Sequence, residues 1–475
     1  MSDNVFLIAL SERNLSNLLQ IVMPADALSE VVADEVGVAY MQAKPQFEVH
    51  DDSVKIAARS ELYLGFGIEE TFVTNYRELL KPLVAEFAVL PKGCELKVSR
   101  YKYSATDEKG NTIELEISPI VENAKESVPD APYRSHLEQE IYSQPDVLTE
   151  LLHTKLDNEL EKAVKEASHI YLVGCGSSYN AALIAQQWFE YSLNTVCSVD
   201  VASEFVARNP YLAPGSVVIG LSQSGETSDT VDALLLAAKR PGIKTVALTA
   251  NSQSRLAKQV TFVQPLAIGS ERGAVSSKSF SGELALLFKL ALSGFDTIDN
   301  PFAKQLSAIT GNVSDVLDQH TEITRLVPQL RGYKEFFILG QGVHFGLAKE
   351  LALKLRELCG SYANAVPLGE FKHGNLALAN NERPVILINP KAQECEKTIR
   401  SVRKVSGKSL PIVVFTSSLN ELPETLDATV ITLPVASATT EVFVYTVAIQ
   451  LLALEIAYLN GRAVDELPFT PKVVK

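Results

Sequence analysis

The residues best suited to chemistry are hydroxyls gathered in two short turns, Gly174-Cys-Gly-Ser-Ser178 and Ser222-Gln-Ser-Gly-Glu-Thr227. Each turn follows an apolar run of strand length and opens a stretch with helical periodicity. Free backbone N–H groups at a helix N-terminus, aided by the helix dipole, favour an anion there. Ser177, Ser178, Ser222, Ser224 and Thr227 add hydroxyl donors, and Gln223 adds an amide. Such donors ring a phosphate without Lys or Arg, so a sugar phosphate suits even an acidic chain. Neither turn is GxGxxG or a Walker A loop, which argues against a dinucleotide or ATP. One such turn is usually only a helix cap. Two in consecutive strand–helix units favour the phosphate.

Three further segments carry ionisable groups. In Glu350-Leu-Ala-Leu-Lys-Leu-Arg-Glu357, the residues Glu350, Lys354 and Glu357 fall on one helical face. Alone, that face reads as solvated i,i+4 pairing. Lining a cleft, Lys354 would hold the geometry and charge of Glu357 as a proton shuttle. His373, in Gly369-Glu-Phe-Lys-His-Gly374, sits beside glycine in a loop, where a lone histidine is usually structural. Lys472 lies in the tail Asp465-Glu-Leu-Pro-Phe-Thr-Pro-Lys472. It becomes a nucleophile only if the tail folds over a pocket that desolvates its amine.

The elements that must position these groups repeat along the chain. Ile170–Val173, Ser216–Leu221 and Thr245–Thr249 read as strands alternating with helices, which predicts a parallel sheet covered by helices. Phe336–Leu339, a helix from His344 to Cys359, and strands at Pro384–Ile388 and Pro411–Phe415 repeat the plan. YLVGCGSSYNAALIA and FILGQGVHFGLAKEL suggest an internal duplication of about 150 residues. Ahead of them, strands are expected near Val36–Tyr40, Glu61–Gly65, Phe72–Thr74, Glu95–Arg100 and Ile113–Ile117, with a hairpin turn at Asp107–Gly110. A polar, proline-bearing stretch from Glu122 to Pro132 reads as a linker, and His136 to Leu160 as one helix-like stretch. The fold class is α/β: two doubly wound parallel-sheet subdomains in tandem behind a smaller α+β domain. The expected boundaries are 1–121, a linker and lead-in helix at 122–150, subdomains at 151–310 and 311–462, and a tail at 463–475.

Composition narrows the classes. With 475 residues, 46% hydrophobic and 21% charged, the chain is ordinary globular material. A net charge of −14 argues against binding nucleic acid through its phosphates. Val442–Leu459 is greasy but interrupted by Gln450 and Glu455, and reads as a core helix rather than a membrane span. The first residues lack a basic flank and a small-residue cleavage site, so no secretory signal is expected. Five scattered cysteines without a CxxC spacing, and no HExxH, point to reduced thiols in the cytoplasm and to no metal site.

Taken together, YLVGCGSSYNAALIAQQWFE, VASEF, LSQSGETSDT, GAVSSKSF, ALKLRE and GEFKHGNLAL resemble the sugar-isomerase (SIS) half of the glucosamine-6-phosphate synthase family. YRSHLEQEIYSQP resembles the segment leading into that half. The resemblance runs in order from about residue 133 to the C-terminus and implies an isomerase binding fructose 6-phosphate, with no cofactor. It implies that Ser178, Ser222, Gln223, Ser224 and Thr227 hold the phosphate, and that the Val275-Ser-Ser277 stretch helps line the sugar site. Glu357 matches the base moving a proton between C1 and C2. His373 matches the ring-opening histidine, which in the family comes from the partner subunit of a homodimer. Lys472 matches the lysine that forms an imine with the ketose.

Two departures from the family pattern bear on function. Leu-Pro-Phe-Thr-Pro-Lys replaces the family's Pro-Arg-Asn-Leu-Ala-Lys in the tail. At the front, family synthases place a catalytic cysteine after the initiator methionine; here position 2 is Ser2 and the first cysteine is Cys94. Ala57-Ala-Arg-Ser60 through Glu61–Arg100 nonetheless resembles the later part of the glutaminase domain, which implies a shortened, degenerate remnant. The expected reaction interconverts fructose 6-phosphate plus ammonia with glucosamine 6-phosphate, without glutamine hydrolysis. A ketosamine-phosphate deglycase, a plain isomerase and a non-catalytic phosphosugar sensor are the alternatives.

Overall fold

The computed structural model describes residues 5–10, 21–23, 46–50, 53–57, 62–66, 71–74, 86–98, 103–115, 117–119, 129–130, 132–295, 303–380, 382–407, 409–417, 422–423, 425–434 and 436–466. The expected strand at Val36–Tyr40, most of the expected linker, Ser2 and Lys472 lie outside them. The chain divides between Ser127 and Val128 into two compact units.

The N-terminal unit is small and strand-rich. Its first sheet contains β1 (Val5–Leu10), β2 (Ile21–Met23), β5 (Leu62–Phe66), β6 (Thr71–Thr74), β7 (Glu86–Leu90) and β11 (Ile117–Pro119). The second contains β3 (Gln46–His50), β4 (Ser53–Ala57), β8 (Glu95–Val98), β9 (Tyr103–Thr106) and β10 (Thr112–Ile113). All of their pairings are antiparallel. Ile56, Leu64, Val73, Leu90 and Leu96 share one buried cluster. The Asp107 carboxylate closes the turn from β9 to β10 by accepting from the N–H groups of Lys109 at 2.9 Å and Asn111 at 2.8 Å. The run expected as one strand at Ile113–Ile117 is divided: β10 pairs with β9, whereas β11 pairs with β7 in the other sheet.

The second unit opens with α1 (His136–Tyr142), α2 (Gln144–His153) and α3 (Asn158–Lys165), where one continuous stretch was expected. Pro145 belongs at the first turn of a helix, so α2 starts afresh there. Asp157 caps α3, its carboxylate accepting from the N–H groups of Glu159 and Leu160. Two five-stranded sheets follow, all parallel.

The first sheet has the order β13-β12-β14-β15-β16, with β12 (Ile170–Gly174), β13 (Cys197–Val201), β14 (Val217–Leu221), β15 (Lys244–Thr249) and β16 (Phe262–Pro265). Its helices are α4 (Gly176–Leu193), α5 (Ala202–Arg208), α6 (Ser228–Ala238) and α7 (Lys278–Leu292). After α8 (Ala303–Asp318) and α9 (His320–Leu326), the second sheet repeats the order as β18-β17-β19-β20-β21. Its strands are β17 (Glu335–Gly340), β18 (Tyr362–Pro367), β19 (Val385–Ile388), β20 (Ile412–Thr416) and β21 (Thr429–Thr432). Its helices are α10 (Val343–Cys359), α11 (Ala392–Ser406) and α12 (Glu441–Leu459). This is the doubly wound tandem that the two matching windows imply.

One continuous core joins the two sheets' inner helices, including Phe189 of α4, Phe288 of α7, Leu351 of α10 and Phe443 of α12. Helix α12 is long and apolar enough to cross a membrane, but 89% of its apolar window is buried within the protein. Burial pushes the thiols of Cys359 and Cys395 up, to about 12 and about 11.

Candidate functional site

In a doubly wound sheet the ligand crevice lies where strand order reverses, outside the carboxyl ends of the strands. For the first sheet that point is between β12 and β14, whose ends Gly174 and Leu221 lie in register. The two hydroxyl-bearing turns therefore leave the sheet side by side.

The second turn is built tightly from its own groups. Ser222 Oγ accepts from the Gly225 N–H at 3.1 Å and lies 3.1 Å from Thr227 Oγ1. Ser224 Oγ accepts from the Glu226 N–H at 3.1 Å. The Gln223 carbonyl accepts from Thr249 Oγ1 at 3.2 Å and the Ala250 N–H at 3.0 Å. Gly225 has φ +67°, and a Cβ there would lie 2.1 Å from Ser254 Oγ, so the turn tolerates only glycine. The side chains of Gln223, Ser224 and Thr227 remain half-buried at the crevice.

The ionisable groups arrive from the second sheet. Helices α4 and α10 pack antiparallel: Gly346, early in α10, faces Ile184, whereas the later Leu353 faces Gly176 at the start of α4. A Cβ on Gly346 would meet Ile184 at 2.5 Å and the Asn180 carbonyl at 3.2 Å, which explains the close approach. The C-terminal half of α10 is thereby laid across the first turn of α4. Ser177 Oγ and Asn180 Nδ2 each donate to the Glu350 carboxylate at 2.9 Å. Lys354 Nζ donates to Glu357 Oε2 at 2.8 Å and lies 3.2 Å from both Glu350 Oε1 and Ser177 Oγ. Burial alone would depress the Lys354 ammonium; the charges of Glu350 and Glu357 outweigh it and hold its pKa above the ordinary lysine value. Glu350 and Lys354 are sealed from solvent, whereas the Glu357 side chain keeps 21% of its exposure.

The remaining expected residues are placed differently. Ser178 Oγ donates to Glu283 of α7 at 2.8 Å. Val275 is buried in the main core. The buried Ser277 hydroxyl lies 3.0 Å from Glu140 Oε2 and 3.3 Å from Glu271 Oε1, so both side chains are committed to the scaffold ahead of α7. His373 is solvent-exposed on a turn whose backbone closes through its N–H onto the Glu370 carbonyl at 2.9 Å. Among the described residues no hydrogen bond or ion pair joins it to Glu357. The segment leading to Lys472 is tied down first: Arg462 Nη2 donates to the Cys359 carbonyl at the end of α10, and the Asp465 carboxylate accepts from the N–H groups of His136 at 2.7 Å and Leu137 at 2.9 Å.

The SIS domain family matches residues 164–291 and 329–459, one match for each sheet. The chain belongs to the SIS domain family. It is 30% identical over 436 residues to the glutamine–fructose-6-phosphate aminotransferase (isomerizing) of Yersinia pseudotuberculosis, covering 88% of this chain and 71% of that protein. Among solved structures, the C-terminal domain of the Francisella tularensis glucosamine–fructose-6-phosphate aminotransferase is 27% identical with a TM-score of 0.65, covering 70% of this chain and 98% of that one. A Thermotoga maritima glucosamine-6-phosphate deaminase shares the fold at 24% identity and a TM-score of 0.58, over 72% of this chain and 99% of that one.

In this SIS tandem three polar residues join the cluster without having been singled out as site residues. Glu350 shares the helical face of Lys354, which was a usable signal. Asn180 follows the first turn by one short step of α4. Glu283 is the lone charge in SFSGELALLF, an otherwise uncharged run, and a charge there signals a buried polar contact.

Proposed function

We propose that the chain is a phosphosugar isomerase that interconverts fructose 6-phosphate plus ammonia with glucosamine 6-phosphate and does not hydrolyse glutamine. The observation that carries this reading is the Lys354–Glu357 pair of α10, set beside the Ser177 turn at the β12–β14 switch point. A base must lie near a bound ligand and remain reachable; Glu357 is the member of the cluster that solvent reaches. In the proposed mechanism, Ser178, Ser222, Gln223, Ser224 and Thr227 hold the phosphate. Lys472 condenses with the ketose carbonyl as an imine, releasing water; ammonia adds at that carbon and expels the Lys472 amine, and the resulting C2 imine acidifies the neighbouring C1–H. Glu357, oriented by Lys354, moves that proton between C1 and C2. His373, exposed in the single chain, opens the sugar ring in the neighbouring subunit of a homodimer. The reaction takes place in the cytoplasm.

Support for the amino-sugar class comes from the similarity to the Yersinia and Francisella aminotransferases. The test is incubation with glucosamine 6-phosphate, following ammonia and fructose 6-phosphate together. Stoichiometric appearance of both is expected. No product here, and none from fructose 6-phosphate plus ammonia, would sink the reading.

A further inference from the structure

Glu283 is buried in α7, and its two carboxylate oxygens differ. Oε1 accepts from Ser178 Oγ at 2.8 Å, whereas Oε2 is buried without a partner. Among the described residues no Lys or Arg pairs with it. The charged groups that bear on it are Glu271, ahead of α7, and Glu350 on α10, both of its own sign. Lys354 is committed to Glu350 and Glu357. From the other helices packed on α7, α2 presents the uncharged Gln144 to Ser281, α12 presents the uncharged Gln450 to the Ser277 carbonyl, and α3 presents Glu161 towards Lys289. Burial pushes the Glu283 carboxyl up to about 8, with Glu271 and Glu350 adding to the shift and the Ser178 bond opposing it.

A serine hydroxyl has one proton and two lone pairs, an ionised carboxylate only accepts, and a neutral carboxyl also donates. Ser178 therefore cannot donate to an ionised Glu283 and to a ligand anion at once. Its backbone N–H is already given to the Cys175 carbonyl at 3.1 Å. We propose that Glu283 sets the polarity of the phosphate subsite. As the neutral acid it donates to Ser178 Oγ, whose own proton then turns to the phosphate; as the carboxylate it takes that proton and leaves lone pairs facing the anion. The inference deepens the phosphosugar reading and rests on it.

The experiment is calorimetric titration of the full-length chain with fructose 6-phosphate from about pH 6.5 to about pH 9.5, a range chosen to bracket the Glu283 transition. A sugar phosphate, with a second pKa near 6, changes little across most of that range. Affinity is expected to be level at the acid end and to fall about tenfold per pH unit above the transition. In Glu283→Gln the amide is a permanent donor to Ser178, so the ratio of affinities between the two ends should collapse to about one. Wild-type binding near pH 9, repeated in buffers of different ionisation enthalpy, should take up close to one proton per site, a readout that needs no variant. Parallel pH profiles for the two proteins, or binding without proton uptake, would overturn the role of Glu283 while leaving the phosphosugar reading intact. No binding at any pH would overturn both.

Discussion

Replacing Lys354 by methionine tests whether the α4–α10 contact is the electrostatic centre of the site. Lys354 is 1% exposed, and its ammonium lies 3.2 Å from Glu350 Oε1. At an effective dielectric of about 20, that pair alone has a gross attraction of about 5 kcal/mol. Much of this offsets the desolvation of the two ions, but removing one partner strands the other, at about 3 to 5 kcal/mol. Glu350 keeps its bonds from Ser177 and Asn180, which places Lys354→Met at the low end, about 3 kcal/mol. Because its pKa is raised in the folded state, the stability from Lys354 is complete below the ordinary lysine value of 10.5 and is lost only as pH rises through the higher folded value. The deficit should therefore be read near neutral pH. Urea unfolding can be followed by Trp188, the chain's single tryptophan, packed 4.9 Å from Phe288, so the signal reports the SIS tandem. Adding Glu350→Gln removes the stranded charge and should restore about 2 kcal/mol. A deficit under about 1 kcal/mol, or no recovery in the double variant, would refute the argument that Lys354 neutralises a buried carboxylate.

Three further outcomes are expected. Borohydride reduction with fructose 6-phosphate should add sugar mass to the peptide containing Lys472; labelling unchanged in Lys472→Ala would exclude that lysine. Co-expressed His373→Ala and Lys472→Ala chains, each nearly inactive alone, should regain about a quarter of wild-type sites if the histidine acts across a two-fold dimer. No recovery, with mixed dimers confirmed by tagged pull-down, would rule out the shared site. Glutamine should release no glutamate above background in the presence of fructose 6-phosphate; enzyme-dependent release blocked by a glutamine analogue would contradict the proposal that the chain does not hydrolyse glutamine.

The central strands were legible because they are buried on both faces. IYLVG of β12 and VVIGL of β14 are unbroken apolar runs, as strands in the middle of a parallel sheet must be. In the two parallel sheets the strands not singled out lie at the edges and carry polar residues: β13 holds Ser198 and Asp200, β16 Gln264 and β18 Asn364. Being partly open to solvent, they lack a continuous apolar signal. In the site, the donor turns were legible as local composition. The setting of Lys354 was not, because in sequence it is indistinguishable from a solvated i,i+4 face. What buries it is the close approach of α4 at Gly346, a contact between segments far apart in the chain. The same holds for Glu283, whose partner Ser178 is 105 residues away.

The duplication accounts for how the two halves divide the work. Both sheets have the same strand order, so each has a crevice at its switch point, β12–β14 in the first and β17–β19 in the second. In the first, the strand ends carry neutral hydroxyls, with Gln223, Ser224 and Thr227 still half-open. In the second, the protein's own carboxylate occupies the donors. His344 Nε2 lies 3.1 Å from Glu441 Oε1, and Asn389 Nδ2 and Ser417 Oγ donate to Glu441 Oε2 at 3.1 and 3.3 Å. An anion entering there would have to displace Glu441 from three partners at once, in a largely buried setting where unmet hydrogen bonds are costly. The second copy is thus saturated as an anion site, and its contribution to the first is α10. Because that helix runs antiparallel to α4, its C-terminal end brings Lys354 and Glu357 to the Ser177 turn, so the ionisable pair of the second half meets a hydroxyl turn of the first.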